Sequence, residues 1–341
     1  MRRIRLLCCL LLLPPLVLAA PVPQPTPGPP ADSPWLFAGF KRDSKEGVFF
    51  AISRDGYHWK LADAGRAVVP PAQPEELMRD PFIQRAPDGS FRMVWTWAWY
   101  KPLVIGYAES TDLIHWSTHR QLPVMANEPA ASNVWAPALY YEPDRQRWLI
   151  VWASTIPGRF PGEGTGDASS ITGTKTELNH RIFFTTTPDF KTFAPARVFF
   201  DPGYSVIDAT VLPPPKPGAS YTMIFKDERK TPLKKHLLTA SGPSFEGPWT
   251  NISEPISEPW SEGAAIIHVS DGYLAYYDHY SQGQHYGALF SPDLVHWTDA
   301  LSRIDFPPGM RHGSFLRITR AEYDRLAALV PDGASAKAAA Q

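Results

Sequence analysis

Cysteine is almost absent from this chain of 341 residues: its two cysteines, Cys8 and Cys9, are adjacent and lie near the start. They cannot crosslink a fold that begins after them, which excludes disulfide scaffolding and thiol catalysis for the rest of the chain. An excess of either charge is also lacking, because the formal net charge is −1, and this argues against nucleic acid as a partner. Zinc-ligand spacings, phosphate-binding glycine loops and dinucleotide fingerprints are missing too.

The N-terminal segment has the pattern of an export signal. Three arginines within the first five residues precede an apolar run over residues 6–18, which ends in Ala19 and Ala20. A membrane anchor is the alternative, but the run is short for a bilayer and Pro14 interrupts it. We therefore predict a signal peptide over residues 1–20, a secreted or periplasmic protein without membrane attachment after cleavage, and an extended Pro-rich linker over residues 21–34.

A short motif recurs along the chain at intervals of roughly 50 to 80 residues. It consists of a hydroxyl residue, an Asp two positions later and an aromatic residue at its end. The Asp is expected to accept backbone N–H groups in a tight turn between strands, and the aromatic residue is expected to pack between neighbouring sheets. The clearest copies are Ser53–Trp59, Ser110–Trp116 and Ser291–Trp297, with looser copies at Thr187–Phe193 and Ser241–Trp249.

This repeat, with alternating apolar strands before each copy, predicts an all-β fold: a five-bladed β-propeller over residues 35–318. One innermost strand is left over at the C-terminal end of this region, and three unpaired strands, over residues 35–40, 48–52 and 58–61, are left over at its start. We expect them to share one blade, so that the strand Arg311 to Ile318 pairs with the strand Trp35 to Phe40 and closes the ring. From Thr319, with Glu322 three residues later, a capping box predicts a short helix, and a disordered tail completes the segment 319–341.

Polar residues open the predicted innermost strands, which all start at the same end of the central channel. The three acids Asp80, Asp208 and Glu262, which we expect at equivalent positions of three blades, should therefore converge there with His312 and Trp135. Carboxylates so close together repel one another, which a purely structural channel would not require. We interpret them as catalytic, with a solvated rim or a cation site as the alternative.

The segments around these residues resemble glycoside hydrolase family 43, a group of inverting arabinofuranosidases and xylosidases with a five-bladed propeller. The matching segments are Asp80-Pro81, Asp112–Trp116, Trp135–Pro137, Ile207-Asp208 and Glu262-Gly263. The resemblance implies that Asp80 is the general base, Asp208 orients and tunes the acid, and Glu262 is the general acid. The chain departs from the family pattern at Ala138, where many members have Glu, and at Ala264, where many have Pro.

Further residues are predicted to bind substrate because the second strand of each blade returns to the same face. Trp97 and Trp99 are expected to stack on a sugar ring, with blade core as the alternative for both. The stretch from 156 to 179, long and rich in glycine, is expected to lie over the same face. The complete predicted binding set is Trp97, Trp99, Trp135, Lys226, Asp278, Arg311 and His312.

These observations predict a hydrolase that cleaves terminal glycosidic bonds of oligo- or polysaccharides by an inverting acid/base mechanism. The chemistry requires no cofactor and no catalytic metal, although His312 is a candidate ligand for a structural cation in the central channel. Two alternatives stay open. One is a sugar-binding propeller without activity, and the other is a retaining hydrolase of the fructan-cleaving type, suggested by Arg79-Asp80-Pro81.

Overall fold

The computed structural model describes residues 29–30, 32–42, 44–161, 178–214, 216, 218–281 and 283–329. The predicted signal peptide, most of the Pro-rich linker, the middle of the 156–179 stretch and the C-terminal tail lie outside the described residues. The described part is all-β, apart from one α-helix and three short 3-10 turns. Its α-helix is too short to cross a lipid bilayer.

Nineteen strands form five sheets arranged as the five blades of a propeller, as predicted. Blade 1 contains β1 (Trp35–Lys41), β2 (Phe49–Ser53), β3 (Trp59–Leu61) and the last strand, β19 (Met310–Arg317). Blade 2 contains β4 (Arg79–Arg85), β5 (Phe91–Thr96), β6 (Ile105–Ser110) and β7 (Arg120–Leu122). Blade 3 contains β8 (Trp135–Glu142), β9 (Arg147–Thr155), β10 (His180–Thr187) and β11 (Arg197–Phe200). Blade 4 contains β12 (Val206–Leu212), β13 (Tyr221–Asp227) and β14 (Leu237–Gly242), and blade 5 contains β15 (Ser261–Val269), β16 (Gly272–His279), β17 (His285–Ser291) and β18 (Thr298–Asp299).

The two ends of the domain share blade 1, which confirms the predicted closure. Strand β19 is the innermost strand of this blade and pairs antiparallel with β1, from Trp35 opposite Arg317 to Lys41 opposite Met310. The pairing covers the inner edge of β1, and β19 becomes the strand of this blade that lies nearest the channel. Directly after β19, the helix α1 (Arg320–Ala328) begins with the capping box predicted at Thr319 and Glu322.

The repeated motif forms the turns that its composition predicts. In the copy of blade 2, Asp112 Oδ1 accepts the backbone N–H groups of Ile114 and His115, at 2.9 and 2.8 Å, and Ser110 Oγ accepts that of Leu113 at 2.9 Å. In blade 1, Trp59 at the end of the motif reaches the next blade, where its Nε1 donates a hydrogen bond to Tyr276 Oη at 3.0 Å. The motif therefore fixes both a turn and a contact between blades.

The core lies in the layers between neighbouring blades, and Trp97 belongs to it. The Trp97 side chain is 4% exposed and stacks on the fully buried Trp95, with the ring centroids 6.4 Å apart. The prediction that Trp97 contacts substrate is therefore wrong for this arrangement. Strand β5 ends at Thr96, so the strand alternation that would place Trp97 and Trp99 on one face stops before both residues. Trp99, unlike Trp97, is 39% exposed.

Candidate active site

Each innermost strand carries a bulge near its start, and the bulges aim side chains into the channel. The strand register shifts between Arg79 and Phe82 in β4, and equivalent shifts occur in the other four innermost strands. A bulge re-aims the side chain of its extra residue. These extra residues are Asp80, Ala136, Asp208, Gly263 and His312.

The bulges place Glu262 differently from the two aspartates. Asp80 and Asp208 have left-handed backbones, with φ of 53° and 57°, and the residue in the same conformation in blade 5 is Gly263, with φ of 61°. Glu262 precedes its bulge, as Arg79 and Arg311 precede theirs. The expectation that the three acids occupy equivalent positions is thus wrong by one residue for Glu262, although all three side chains line one pocket.

This pocket has a volume of about 460 Å³ and opens at the end of the channel where the innermost strands begin. Eight of the predicted site residues line it: Asp80, Trp99, Trp135, Asp208, Lys226, Glu262, Arg311 and His312. Sequence reasoning missed Arg79, Thr96, Leu178, Ile207, Glu228, Lys235, Trp260 and Tyr280, which line it as well. Leu178 shows that the returning end of the 156–179 stretch reaches the site.

Asp80 is buried and held by two neighbours. Thr96 Oγ1 donates to Asp80 Oδ2 at 2.7 Å, and His312 Nδ1 lies 3.2 Å from Asp80 Oδ1. Burial alone would raise the pKa of Asp80, but the charge and the hydrogen bond of His312, with Arg79 and Thr96, lower it to about 2. Asp80 is therefore ionised at neutral pH, as a base must be.

Asp208 has the opposite character. Its Oδ2 accepts the backbone N–H of Gly263 at 3.0 Å and lies 3.8 Å from His312 Nδ1. Burial, with the charges of Glu262 and Asp80, outweighs His312 and Lys226 and raises the pKa of Asp208 to about 6. One pocket thus holds a carboxylate that stays charged and a carboxyl group that titrates near neutrality, and such pairs are characteristic of acid/base sites.

His312 carries the positive charge between these two acids. Burial would lower the pKa of His312, but Asp80 and Asp208 raise it to about 9. At neutral pH the ring is an imidazolium, with both nitrogens protonated, whereas a metal ligand must be neutral. Without a bound ion the ring itself balances the two carboxylates, and the role of His312 as a ligand of a structural cation stays a prediction.

Glu262 is paired with two cations. Lys226 Nζ donates to Glu262 Oε2 at 2.9 Å, and Arg311 Nη2 lies 3.3 Å from Glu262 Oε1. Burial would raise the pKa of Glu262, but Lys226 and Arg311 outweigh it and lower that pKa. In the ligand-free protein Glu262 is accordingly ionised, which is the wrong protonation state for an acid about to donate its proton.

Both cations have further partners besides Glu262. Lys226 Nζ also lies 2.8 Å from Glu228 Oε2 and donates to Tyr280 Oη at 3.2 Å. Arg311 Nε donates to Asp278, which is fully buried and does not line the pocket. The prediction that Asp278 binds substrate is therefore wrong; Asp278 positions Arg311 instead.

The aromatic side of the pocket is formed by Trp99 and Trp135. Trp135 Nε1 donates to the Trp99 carbonyl at 2.6 Å, and the two rings meet edge to face at 6.1 Å. Trp260 and Tyr280 face each other in the same way at 5.7 Å and also line the pocket. Aromatic faces beside charged, hydrogen-bonding groups suit a sugar ring, which has apolar C–H faces and polar edges.

One cluster of metal-ligand type occurs in the described part of the chain, on the rim and outside the pocket. One ligand atom each of Glu258, His279 and His285 lies within 4.8 Å of the others. The two imidazole rings are stacked, with an interplanar angle of 22° and centroids 4.9 Å apart. A metal ion lies close to the plane of each imidazole that binds it, and two nearly parallel ring planes do not meet near the rings, so this arrangement does not suit a shared metal ion.

Comparison with known proteins agrees with the fold. A family model described as "Probable glycosyl hydrolase domain" and related to glycoside hydrolase family 43 matches residues 33–324. The chain therefore belongs to this family of glycosyl hydrolase domains.

Individual relatives are distant. An α-L-arabinofuranosidase of Bifidobacterium longum subsp. longum is 24% identical over 235 residues, which cover 61% of this chain and 21% of that protein. An exo-β-1,3-galactanase from Clostridium thermocellum superposes with a TM-score of 0.54 at 15% identity, over 81% of this chain and 63% of that one. An α-L-arabinofuranosidase from Lactobacillus brevis gives 0.47 at 18% identity, over 65% and 72%. At these identities the structural likeness shows the fold alone.

Proposed function

We propose that this protein hydrolyses terminal glycosidic bonds, with Asp80 as the general base, Glu262 as the proton donor and Asp208 as the group that tunes the donor. The carrying observation is that one pocket brings together three carboxyl groups, those of Asp80, Asp208 and Glu262, with Asp80 held ionised at a pKa of about 2 by His312. Hydrolysis of a glycoside needs one ionised carboxylate and one protonated carboxyl group.

The role of Glu262 requires proton uptake when substrate binds. Lys226 and Arg311 keep Glu262 ionised in the free protein, but Lys226 Nζ has a second carboxylate, Glu228, at 2.8 Å. A substrate hydroxyl that takes the place of Lys226 at Glu262 would leave Lys226 bound to Glu228. The neighbouring Asp208 then supplies negative charge that favours a proton on Glu262.

The test is a panel of chromogenic arabinofuranosides, xylosides and galactosides, chosen from the activities named for the relatives. We expect Asp80→Asn and Glu262→Gln each to lower kcat by at least about 10³-fold, a loss of about 4 kcal/mol in transition-state stabilisation. Asp144→Asn is the matched control, since Asp144 is an exposed carboxylate beyond the far end of β8. A non-catalytic sugar-binding propeller is the alternative, and it would bind these sugars without turnover in any variant.

We further propose that hydrolysis inverts the anomeric configuration, because the matched segments resemble an inverting family and Asp80 would activate water. Proton NMR of the first product distinguishes this from the retaining, fructan-type alternative. An initial product with the configuration of the substrate would make Asp80 a nucleophile.

Export is also a proposal. It rests on the arginine-led apolar segment over residues 1–20, and mass spectrometry of the mature N-terminus from the native host tests it. A mature chain that still begins at Met1 would contradict cleavage.

A further inference from the structure

Arg79 occupies one of five equivalent positions around the mouth of the pocket. It directly precedes the bulge residue Asp80, as four other residues precede the bulge residues of their blades, and all five line the pocket. The other four are Trp135, Ile207, Glu262 and Arg311. Arg79 therefore faces the same space as the proposed catalytic carboxylates, one residue along the chain from the proposed base.

Two aromatic rings hold the Arg79 guanidinium. Its central carbon lies 4.5 Å from the centroid of the Phe40 ring and 4.4 Å from that of Trp99. Contacts of this kind hold the guanidinium between two ring faces without using its N–H donors. Arg79 is thus held in place while its N–H donors stay available for a partner.

Arg79 differs from the other cationic side chains of the pocket in its lack of an anionic partner. Each of the other four has a carboxylate oxygen within 4.0 Å: Lys226 near Glu228 and Glu262, Lys235 near Glu228, Arg311 near Asp278 and Glu262, and His312 near Asp80 and Asp208. Among the residues that the structure describes, no carboxylate comes that close to Arg79.

The positive charge of Arg79 is therefore unmatched at its own position. The four other cationic groups that line the pocket, Lys226, Lys235, Arg311 and the His312 imidazolium, are paired with the carboxyl groups of Asp80, Asp208, Glu228 and Glu262 in the lining and of Asp278 behind it. A substrate with one negative charge in the plane of the Arg79 guanidinium would complete the pairing, and a carboxylate matches the guanidinium fork with two parallel hydrogen bonds.

We propose that Arg79 is a specificity-determining residue that binds a sugar carboxylate, so that the substrates of this site are glycosides of acidic sugars, uronic acids being the simplest class. The proposal rests on the proposed glycosidase function for its substrate type. The binding step itself needs no turnover, and the two ideas can therefore fail separately.

The experiment measures binding of matched sugar pairs by calorimetry, with quenching of Trp fluorescence as a second readout because Trp99 stacks on Arg79. The probes are the methyl glycosides of galacturonate and galactose and of glucuronate and glucose, which differ at C6 alone. We expect at least one acidic sugar to bind about tenfold or more tightly than its neutral partner, which corresponds to about 1.4 kcal/mol. Arg79→Met should remove this preference, and Arg79→Lys, which keeps the charge but loses the planar fork, should retain part of it.

The outcomes separate the alternatives. If the neutral sugars bind as tightly as the acidic ones, or if neither acidic sugar binds, the proposal is overturned; the wild-type protein alone decides this, whatever the stability of the variants. If Arg79→Met weakens both members of a pair equally, Arg79 binds hydroxyls and not a carboxylate. Uronate binding without hydrolysis would contradict the glycosidase function alone, whereas hydrolysis of neutral glycosides without uronate preference would contradict the present inference alone.

Discussion

The ion pair between Asp80 and His312 links the proposed catalytic base to the stability of the fold. Asp80→Asn keeps the size of the side chain and an oxygen that can accept from Thr96 Oγ1, but it removes the charge 3.2 Å from His312 Nδ1. The substitution therefore probes the charge at this position with little change in packing.

The size of the effect follows from the two pKa values. Asp80 titrates at about 2 in the fold against 3.8 ordinarily, and each pKa unit corresponds to about 1.4 kcal/mol, so its charge stabilises the fold by about 2 kcal/mol. His312 titrates at about 9 against 6.5, or about 3 kcal/mol, and the excess over 2 kcal/mol reflects its second partner, Asp208. We expect Asp80→Asn to lower the free energy of unfolding at pH 7 by about 2 kcal/mol.

The dependence on pH distinguishes this ion pair from a general loss of packing. The folded-state pKa of His312 is raised, so its contribution is complete below pH 6.5 and is lost as pH rises through about 9. The folded-state pKa of Asp80 is lowered, so its contribution is present above pH 3.8 and is lost as pH falls through about 2. The difference between wild type and Asp80→Asn should thus be largest between about pH 4 and 6.5 and should shrink towards pH 10.

Urea unfolding at pH 5, 7, 9 and 10 measures this difference, and NMR titration of the His312 ring measures its pKa directly. Asp144→Asn, at an exposed site, should leave both quantities within error of wild type. A constant stability difference across this pH range, or a His312 pKa in Asp80→Asn still near 9, would refute the assignment of an imidazolium paired with Asp80.

Three further predictions follow from the same geometry. Lys226→Met removes a cation that lowers the pKa of Glu262, so the alkaline limb of the pH–kcat profile should move to higher pH. Lys191→Met, at an exposed position, should not move this limb. An unchanged limb in Lys226→Met would exclude Glu262 as the donor. Gly263→Ala places a Cβ atom 2.2 Å from His312 Cγ, and we expect it to lower kcat/KM more than tenfold. The control is Gly283→Ala, which is also at a positive φ but has no atom within 4 Å of the added Cβ; it should have little effect on kcat/KM. Deletion of residues 310–341 removes the innermost strand of blade 1 and should give insoluble protein, while deletion of 330–341 should leave it soluble; a soluble, active protein ending at residue 309 would contradict the role of this closure.

The propeller could be predicted from the sequence because its signals are local and repeated. The motif at Ser110–Trp116 fixes its own turn, because Asp112 and Ser110 accept hydrogen bonds from backbone N–H groups no more than three residues away. Repetition of such a segment five times implies five blades. Closure of the ring could be predicted in turn, because one strand at the C-terminal end and three strands at the start belonged to no complete blade.

The position of each site residue relative to its β-bulge was harder to predict, because a β-bulge leaves little trace in sequence. Whether Glu262 or Gly263 is the extra residue depends on the pairing of β15 with β16, where Glu262 lies opposite Asp278 and Ala265 opposite Tyr276. A sequence of strand residues looks the same in either register. The glycine was the available signal, because a left-handed backbone is easiest for Gly, and Gly263 follows Glu262 directly.

The ionisation states could not be predicted from residue types at all. Lys226 was expected to bind a sugar hydroxyl or to pair with an acid, and it pairs with two acids from different blades, Glu228 and Glu262. Lys226 and Arg311 lower the pKa of Glu262, and burial raises that of Asp208, although both are acids at the start of an innermost strand. Their difference arises from which cations the bulges bring within 4 Å.

The five-fold architecture explains how one fold can hold both an ionised and a protonatable acid a few ångströms apart. Every blade offers the same bulge, so the fold determines where the side chains point, and the residue at each bulge determines the charge there: two aspartates, one histidine, and Ala136 and Gly263, which add none. A single imidazolium cannot fully compensate two buried carboxylates. It lies 3.2 Å from Asp80 and 3.8 Å from Asp208, and Asp80 also receives the Thr96 hydroxyl, so Asp80 keeps its charge and Asp208 becomes the group that takes up a proton near pH 6.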